Sequence, residues 1–138
     1  MYSHILLACG DSRVARHAMD LAVALAAQQR ASLHAVYVLA PPPAVAVVAD
    51  AILGDPASGR AARRADRALE RVRERAARAG VPCTVERVFD RRPYAAIAGT
   101  AAGSHCDLIV MGAHAGPSGS QAARKLILNC DVPVLVCR

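Results

Sequence analysis

Apolar and polar positions along this 138-residue chain fall into alternating short and long blocks. His4–Cys9 (HILLAC) is a short apolar run that stops at Gly10, Asp11 and Ser12, the pattern of a buried strand entering a turn. From Val14 to Gln29 the apolar residues Val14, Ala18, Leu21, Ala22, Leu25 and Ala26 recur at helical spacing, with Ser12 placed to cap the helix. Ser32–Leu39 (SLHAVYVL) predicts a second strand, because its β-branched and aromatic members favour extended backbone. Ala40–Ser58 holds three consecutive prolines, an apolar patch from Ala44 to Leu53 and a Gly54-Asp55-Pro56 breaker. It reads as a long connection apolar enough to need a surface to rest on, its own domain's or a partner's.

Arg60–Ala79 predicts the most regular helix, with Ala61, Ala65, Leu69, Val72, Ala76 and Ala79 as its narrow apolar stripe and Gly80 as its stop. Arg and Glu three or four residues apart (Arg67/Glu70, Arg71/Glu74, Glu70/Arg73, Glu74/Arg78) are spaced to pair across the other faces. Val81–Phe89 alternates in part and predicts a third strand, placed near a sheet edge because Pro82 cannot donate to a ladder. A turn at Asp90–Pro93 leads into a short helix over Tyr94–Ala102, followed by a fourth strand at Asp107–Gly112. Ser118 or Ser120 is expected to cap a last helix running through Leu128, and Pro133–Cys137 closes the chain as a fifth strand.

Strands joined by helices run parallel with right-handed crossovers, so both faces of the sheet are covered and the strands read as solid apolar runs. The expectation is an α/β fold: one domain over residues 1–138 with a doubly wound five-stranded parallel sheet of order 3-2-1-4-5. The winding reverses between strands 1 and 4. Ligands of such sheets sit beyond the carboxyl ends of the strands at that reversal, here bounded by Gly10-Asp11-Ser12 and by Gly112 to Ser120.

A hydrophobic content of 54% with 20% charged residues excludes wholesale disorder. The longest uncharged apolar stretch, Ala31–Ala49, is broken by Ser32, His34 and three prolines, which excludes it as a membrane span. The opening residues lack the layout of a secretory leader, and the expectation is a soluble cytoplasmic protein. Five scattered cysteines (Cys9, Cys83, Cys106, Cys130, Cys137) lack ligand or disulfide spacing and read as small buried apolar residues of a reducing compartment.

The net charge of +6 invites nucleic acid as a partner. Eleven of the sixteen arginines lie between Arg60 and Arg92, where five acids interleave, and one Phe, three Tyr and no Trp leave little for bases to stack on. On these grounds a solvated helix face is expected there, not an RNA- or DNA-binding one.

Candidate chemistry gathers in one segment. Gly112 to Ser120 carries three glycines and two serines between a strand and a helix, a layout that can aim N–H groups and hydroxyls at a phosphate. Its spacing matches neither G-x-G-x-x-G nor G-x-x-x-x-G-K-[ST]. His114 falls at the crevice mouth, where an imidazole would titrate near neutral pH, and Asp11 is the acid expected to face the crevice. His4 and His34 on neighbouring strands lack a third metal ligand and are assigned to packing or surface. There is no G-x-S-x-G elbow, no H-E-x-x-H, and no Cys/His or paired-carboxylate arrangement with a plausible partner, and so no catalytic constellation.

Three segments carry a resemblance: Tyr2 to Ala8 with its Ser-led helix, Asp107 to Gly112 with Ala113 and His114, and Val132 to Val136. Together they resemble the universal stress proteins over nearly the whole chain. The resemblance implies a stress-response α/β protein whose nucleotide-binding branch carries Gly-x-x-Gly, nine residues, then Gly-Ser or Gly-Thr, with an Asp directly after strand 1. This chain departs at both places. Gly10 stands at the usual Asp position and displaces Asp11; Ala115 stands at the second glycine; and only Pro117 and Ser118 separate Gly116 from Gly119-Ser120. Each lost charge-assisted hydrogen bond would weaken a triphosphate by about 1.5–3 kcal/mol.

The segments Leu53-Gly54-Asp55 and Ser120–Asn129 resemble the A-type branch, which implies a cytoplasmic homodimer acting through protein partners, possessing no cofactor and no catalytic residues. Val134, Leu135 and Val136 form an unprotected edge strand suited to pairing with a second copy. The alternative is an ATP or AMP binder using Asp11, Gly112, His114, Gly116, Ser118, Gly119 and Ser120 as a shortened cradle.

Overall fold

The structure, a computed structural model, describes residues 1–41, 57–113 and 117–138, with only the backbone of 57–58 and 117–120. Its elements are β1 (His4–Ala8), α1 (Arg13–Gln29), β2 (Ser32–Leu39), α2 (Ala57–Arg78), β3 (Cys83–Phe89), α3 (Pro93–Gly103), β4 (Leu108–Gly112), α4 (Pro117–Asn129) and β5 (Val134–Cys137). All strand pairs are parallel and the order is β3-β2-β1-β4-β5, as the alternation of strands and helices predicts. The central strand β1 pairs Ile5 with Leu33 on one side and with Leu108 on the other.

Because side chains alternate along a strand, the sheet divides its apolar residues between two cores. Ile5, Leu7, Leu33, Ala35, Leu108 and Val110 pack against α1 and α2 through Ala18, Ala22, Leu69, Val72 and Ala76. Leu6, Val36, Ile109 and Met111 pack on the opposite face against Ile97 and Ala101 of α3 and Ala123 and Leu126 of α4. Each large side chain withdrawn from water here contributes about 1.5–3 kcal/mol, which makes the two-sided sheet the dominant favourable term.

Local signals set the boundaries. The Ser12 hydroxyl accepts the Ala15 N–H at 3.1 Å, the expected N-cap of α1. α2 stops at Gly80, whose φ of 70° lets the Gly80 N–H reach the Ala77 carbonyl and the Val81 N–H reach that of Ala76 at 2.8 Å. The Asp107 carboxylate lies just outside β4 and accepts the N–H groups of Ser3 and His4 at 2.8 and 3.1 Å, tying the start of β1 to the neighbouring loop.

The structure corrects the sequence reading in several details. α4 begins at Pro117, so Ser118 and Ser120 lie inside its first turn and neither caps it; proline suits a first helical position because its missing N–H would have no partner there. α2 starts three residues earlier than expected, and Ala79 is exposed beyond its end. Cys106 and Cys137 are buried, but Cys9, Cys83 and Cys130 are half-buried, and all five are free thiols. By contrast, His34 lies against Thr84 and Glu86 of the neighbouring β3 and His4 against Ser32 at the amino end of the central strand, in keeping with their assignment to packing or surface. The apolar connection 44–53 lies outside the described residues.

Candidate functional site

The carboxyl ends of β1 and β4 part where the winding reverses, and a crevice of about 370 Å³ opens there on the side of the sheet covered by α3 and α4. β1 and the following turn contribute Ala8, Gly10, Asp11 and Ser12; β2 contributes Val36 and Val38; β4 contributes Met111 and Gly112. Ile97 and Pro93 of α3 and Ala122 of α4 close the far wall. The volume falls within the range of small-ligand pockets, and the walls are mainly apolar. Among the described residues no Lys or Arg lines it, and the sequences of 42–56 and 114–116 contain none.

Two glycines hold the crevice floor together. A Cβ on Gly112 would stand 2.9 Å from the backbone carbon and oxygen of Val14 and 3.0 Å from the Ala15 nitrogen, so the end of β4 lies directly on the first turn of α1. A Cβ on Gly10 would come within 3.1 Å of the Ala15 Cβ. Gly112 is explained by this close approach of backbone, without any ligand, and Gly10 by a tight fit against the Ala15 side chain.

Asp11 borders the crevice, but its carboxylate is already engaged. One oxygen accepts the Tyr37 hydroxyl at 2.7 Å and the other accepts Arg71 Nη2 at 3.3 Å. Tyr37 and α2 lie on the other face of the sheet, so these bonds draw the carboxylate toward the α2 side. Burial, followed by the hydrogen bond to Asp11, pushes the Tyr37 phenol up to about 12. Burial likewise pushes the Cys9 thiol at the crevice edge up to about 12, with smaller effects from Cys83, Arg71 and Asp11. Neither group is poised as a nucleophile or base near neutral pH.

Of the residues predicted from sequence, Asp11 and Gly112 meet at this crevice. His114 and Gly116 lie outside the described residues, and Ser118, Gly119 and Ser120 are placed only as backbone in the first turn of α4. The sequence reading missed the apolar walls, Val36, Val38, Ile97 and Met111, and the Tyr37 and Arg71 partners of Asp11. Val36 and Val38 alternate at the carboxyl end of β2, which is the signal that could have found them. Among the described residues no group of three or more metal-ligating side chains occurs, and no helix is long and apolar enough to cross a membrane.

No curated protein sequence matches the chain. Among solved structures, a protein from the universal stress protein family of Burkholderia pseudomallei is 28% identical, covering 98% of this chain and 95% of its own, with a TM-score of 0.72. The universal stress protein from Archaeoglobus fulgidus in complex with dAMP is 19% identical over 99% of this chain and 98% of its own, with a TM-score of 0.76. A universal stress protein in complex with cAMP is also 19% identical, over 99% of this chain and 97% of its own, with a TM-score of 0.73. At 19% identity the likeness is one of fold. The family model described as the universal stress protein family matches residues 1–138, and with that match over its full length this chain belongs to the universal stress protein family.

Proposed function

We propose that this member of the family is a homodimeric binding and regulatory protein of the cytoplasm that works through protein partners and carries no catalytic residues. The observation that carries the dimer is the β5 side of the molecule. Among the described residues β5 is hydrogen-bonded only to β4 and presents an open edge. Next to it Leu135, Ile127 and Leu128 are 37, 54 and 73% exposed. Between α4 and β5, Ile127 and Leu128 border a shallow groove of about 480 Å³, with Ala123 and Val136 in its wall. A two-fold axis beside β5 would pair the open edge with its own copy and bury three large apolar side chains from each protomer, at about 1.5–3 kcal/mol apiece. Size-exclusion chromatography with light scattering should show a dimer for the wild type and a monomer for Leu135→Glu. An unchanged dimer in that variant would reject this interface.

The absence of catalysis is supported by the engaged Asp11 and the raised Cys9 thiol. The crevice itself favours a second reading, in which it takes an adenine nucleotide bearing no more than one phosphate. Apolar walls suit a base and sugar, whereas a triphosphate would meet no cation among the described lining residues. The dAMP and cAMP complexes of related structures are consistent with that class of ligand. Isothermal titration should give saturable heats for AMP or cAMP, with ATP binding no more tightly. ATP binding tenfold tighter than AMP, or no heat from any of the three, would reject it.

A further inference from the structure

We infer that α2 is a docking ridge for the phosphodiester backbone of duplex nucleic acid. The inference rests on a placement that residue counts along the sequence conceal. Arg60, Arg64, Arg67, Arg71, Arg75 and Arg78 follow one another at intervals of four, three, four, four and three. At 100° per residue all six fall within about 80° of arc, one straight ridge about 27 Å long. The acids of the helix, Asp66, Glu70 and Glu74, fall to one side of that arc, and Asp66 is turned to Arg87 of β3 at 3.5 Å. α2 carries eight arginines against three acids, 8 − 3 = +5, which is nearly all of the +6 of the chain.

The ridge does not neutralise itself. Arg71 and Arg75 reach across to Asp11 and Asp20 and anchor the ridge to the rest of the fold. Among the described residues Arg64, Arg67 and Arg78 are exposed and have no ion-pair partner, and Arg63 flanks them in the same state. Fork-shaped guanidinium groups held in a line suit a line of phosphates, which they grip bidentately. The partner's chemistry follows from what the ridge lacks. α2 exposes no large apolar side chain, so there is no anchor of the kind that protein interfaces use and nothing to insert into a lipid surface. The scarcity of aromatic residues that argues against single strands leaves a duplex backbone untouched, because its binding is electrostatic and independent of sequence.

The test is fluorescence anisotropy of the full chain with 20-base-pair duplexes of DNA and of RNA from 50 to 200 mM salt, with poly-glutamate as an anionic control. Three phosphate contacts give a slope of log K against log salt of about −2.7, or a loss of roughly 40-fold across that range. The variant Arg64→Glu/Arg67→Glu/Arg78→Glu should lose more than tenfold in affinity at 50 mM. An equally charged control, Arg13→Glu/Arg30→Glu/Arg91→Glu, should lose less than threefold, with circular dichroism confirming that both remain folded. The two duplex arms separate DNA from RNA as the source of the backbone. No retention of either duplex at 50 mM, equal losses in the two variants, or poly-glutamate binding as tightly as duplex would overturn the inference.

Discussion

Gly112→Ala separates a structural glycine from a phosphate-binding one. The added Cβ would sit 2.9 Å from backbone atoms of Val14 and 3.0 Å from the Ala15 nitrogen, and backbone in the first turn of a capped helix cannot swing aside as a side-chain tip can. Overpacking of this kind costs about 1–3 kcal/mol, and contact with backbone puts this site at about 2–3 kcal/mol. For 138 residues the entropy of unfolding is about 0.29 kcal/mol/K, so the melting temperature should fall by about 7–10 °C. Gly99 in the middle of α3 is the control, because a Cβ there meets nothing within 4 Å. Gly99→Ala should raise the melting temperature by about 3 °C through helix propensity alone. Both are read by thermal denaturation in the absence of nucleotide. A ligand-free Gly112→Ala protein that melts with the wild type would show that β4 does not press on α1, and the glycine would then need a ligand to explain it.

Ser12→Ala removes the hydroxyl that accepts the Ala15 N–H and should cost about 1 kcal/mol, measured as a shift of the urea midpoint at constant m. Alkaline pH should destabilise the fold. Cys9, Tyr37 and Cys106 all have raised values when folded, about 12, 12 and 11, against 9.0, 10.0 and 9.0 as free groups. The folded chain therefore keeps protons that the unfolded chain releases, so stability is full below about pH 9 and declines as pH rises toward 11. Urea midpoints across pH 8–11 check this, with Cys9→Ala expected to flatten the decline; a midpoint that rises with pH would contradict it. The same burial predicts that Cys9 in the native protein resists iodoacetamide at pH 8, whereas the unfolded protein reacts.

The fold was legible because each signal was local and redundant. Solid apolar runs such as Leu108–Met111 demand cover on two faces, and the Ser12 and Gly80 boundaries obey backbone chemistry that needs no tertiary information. The start of α4 was misread because Ser118 and Ser120 are good caps by type, and only the backbone path shows that Pro117 already occupies the first turn. The site was half legible. Topology alone placed Asp11 and Gly112 at the reversal, but Tyr37 and Arg71 come from elements 26 and 60 residues away, a distance over which periodicity carries no information. The α2 charges were all countable in the sequence, but which of them engage Asp11, Asp20 and Arg87 was not, because those partners lie on other elements.

Native mass spectrometry of the purified protein, titrated with AMP and with ATP, reads assembly and occupancy in one spectrum. The account predicts an ion of twice 14.4 kDa that takes up AMP at one equivalent per protomer and keeps at least half of it against equimolar ATP. A 14.4 kDa species at micromolar concentration, or equimolar ATP displacing most of the AMP from the dimer, would contradict it.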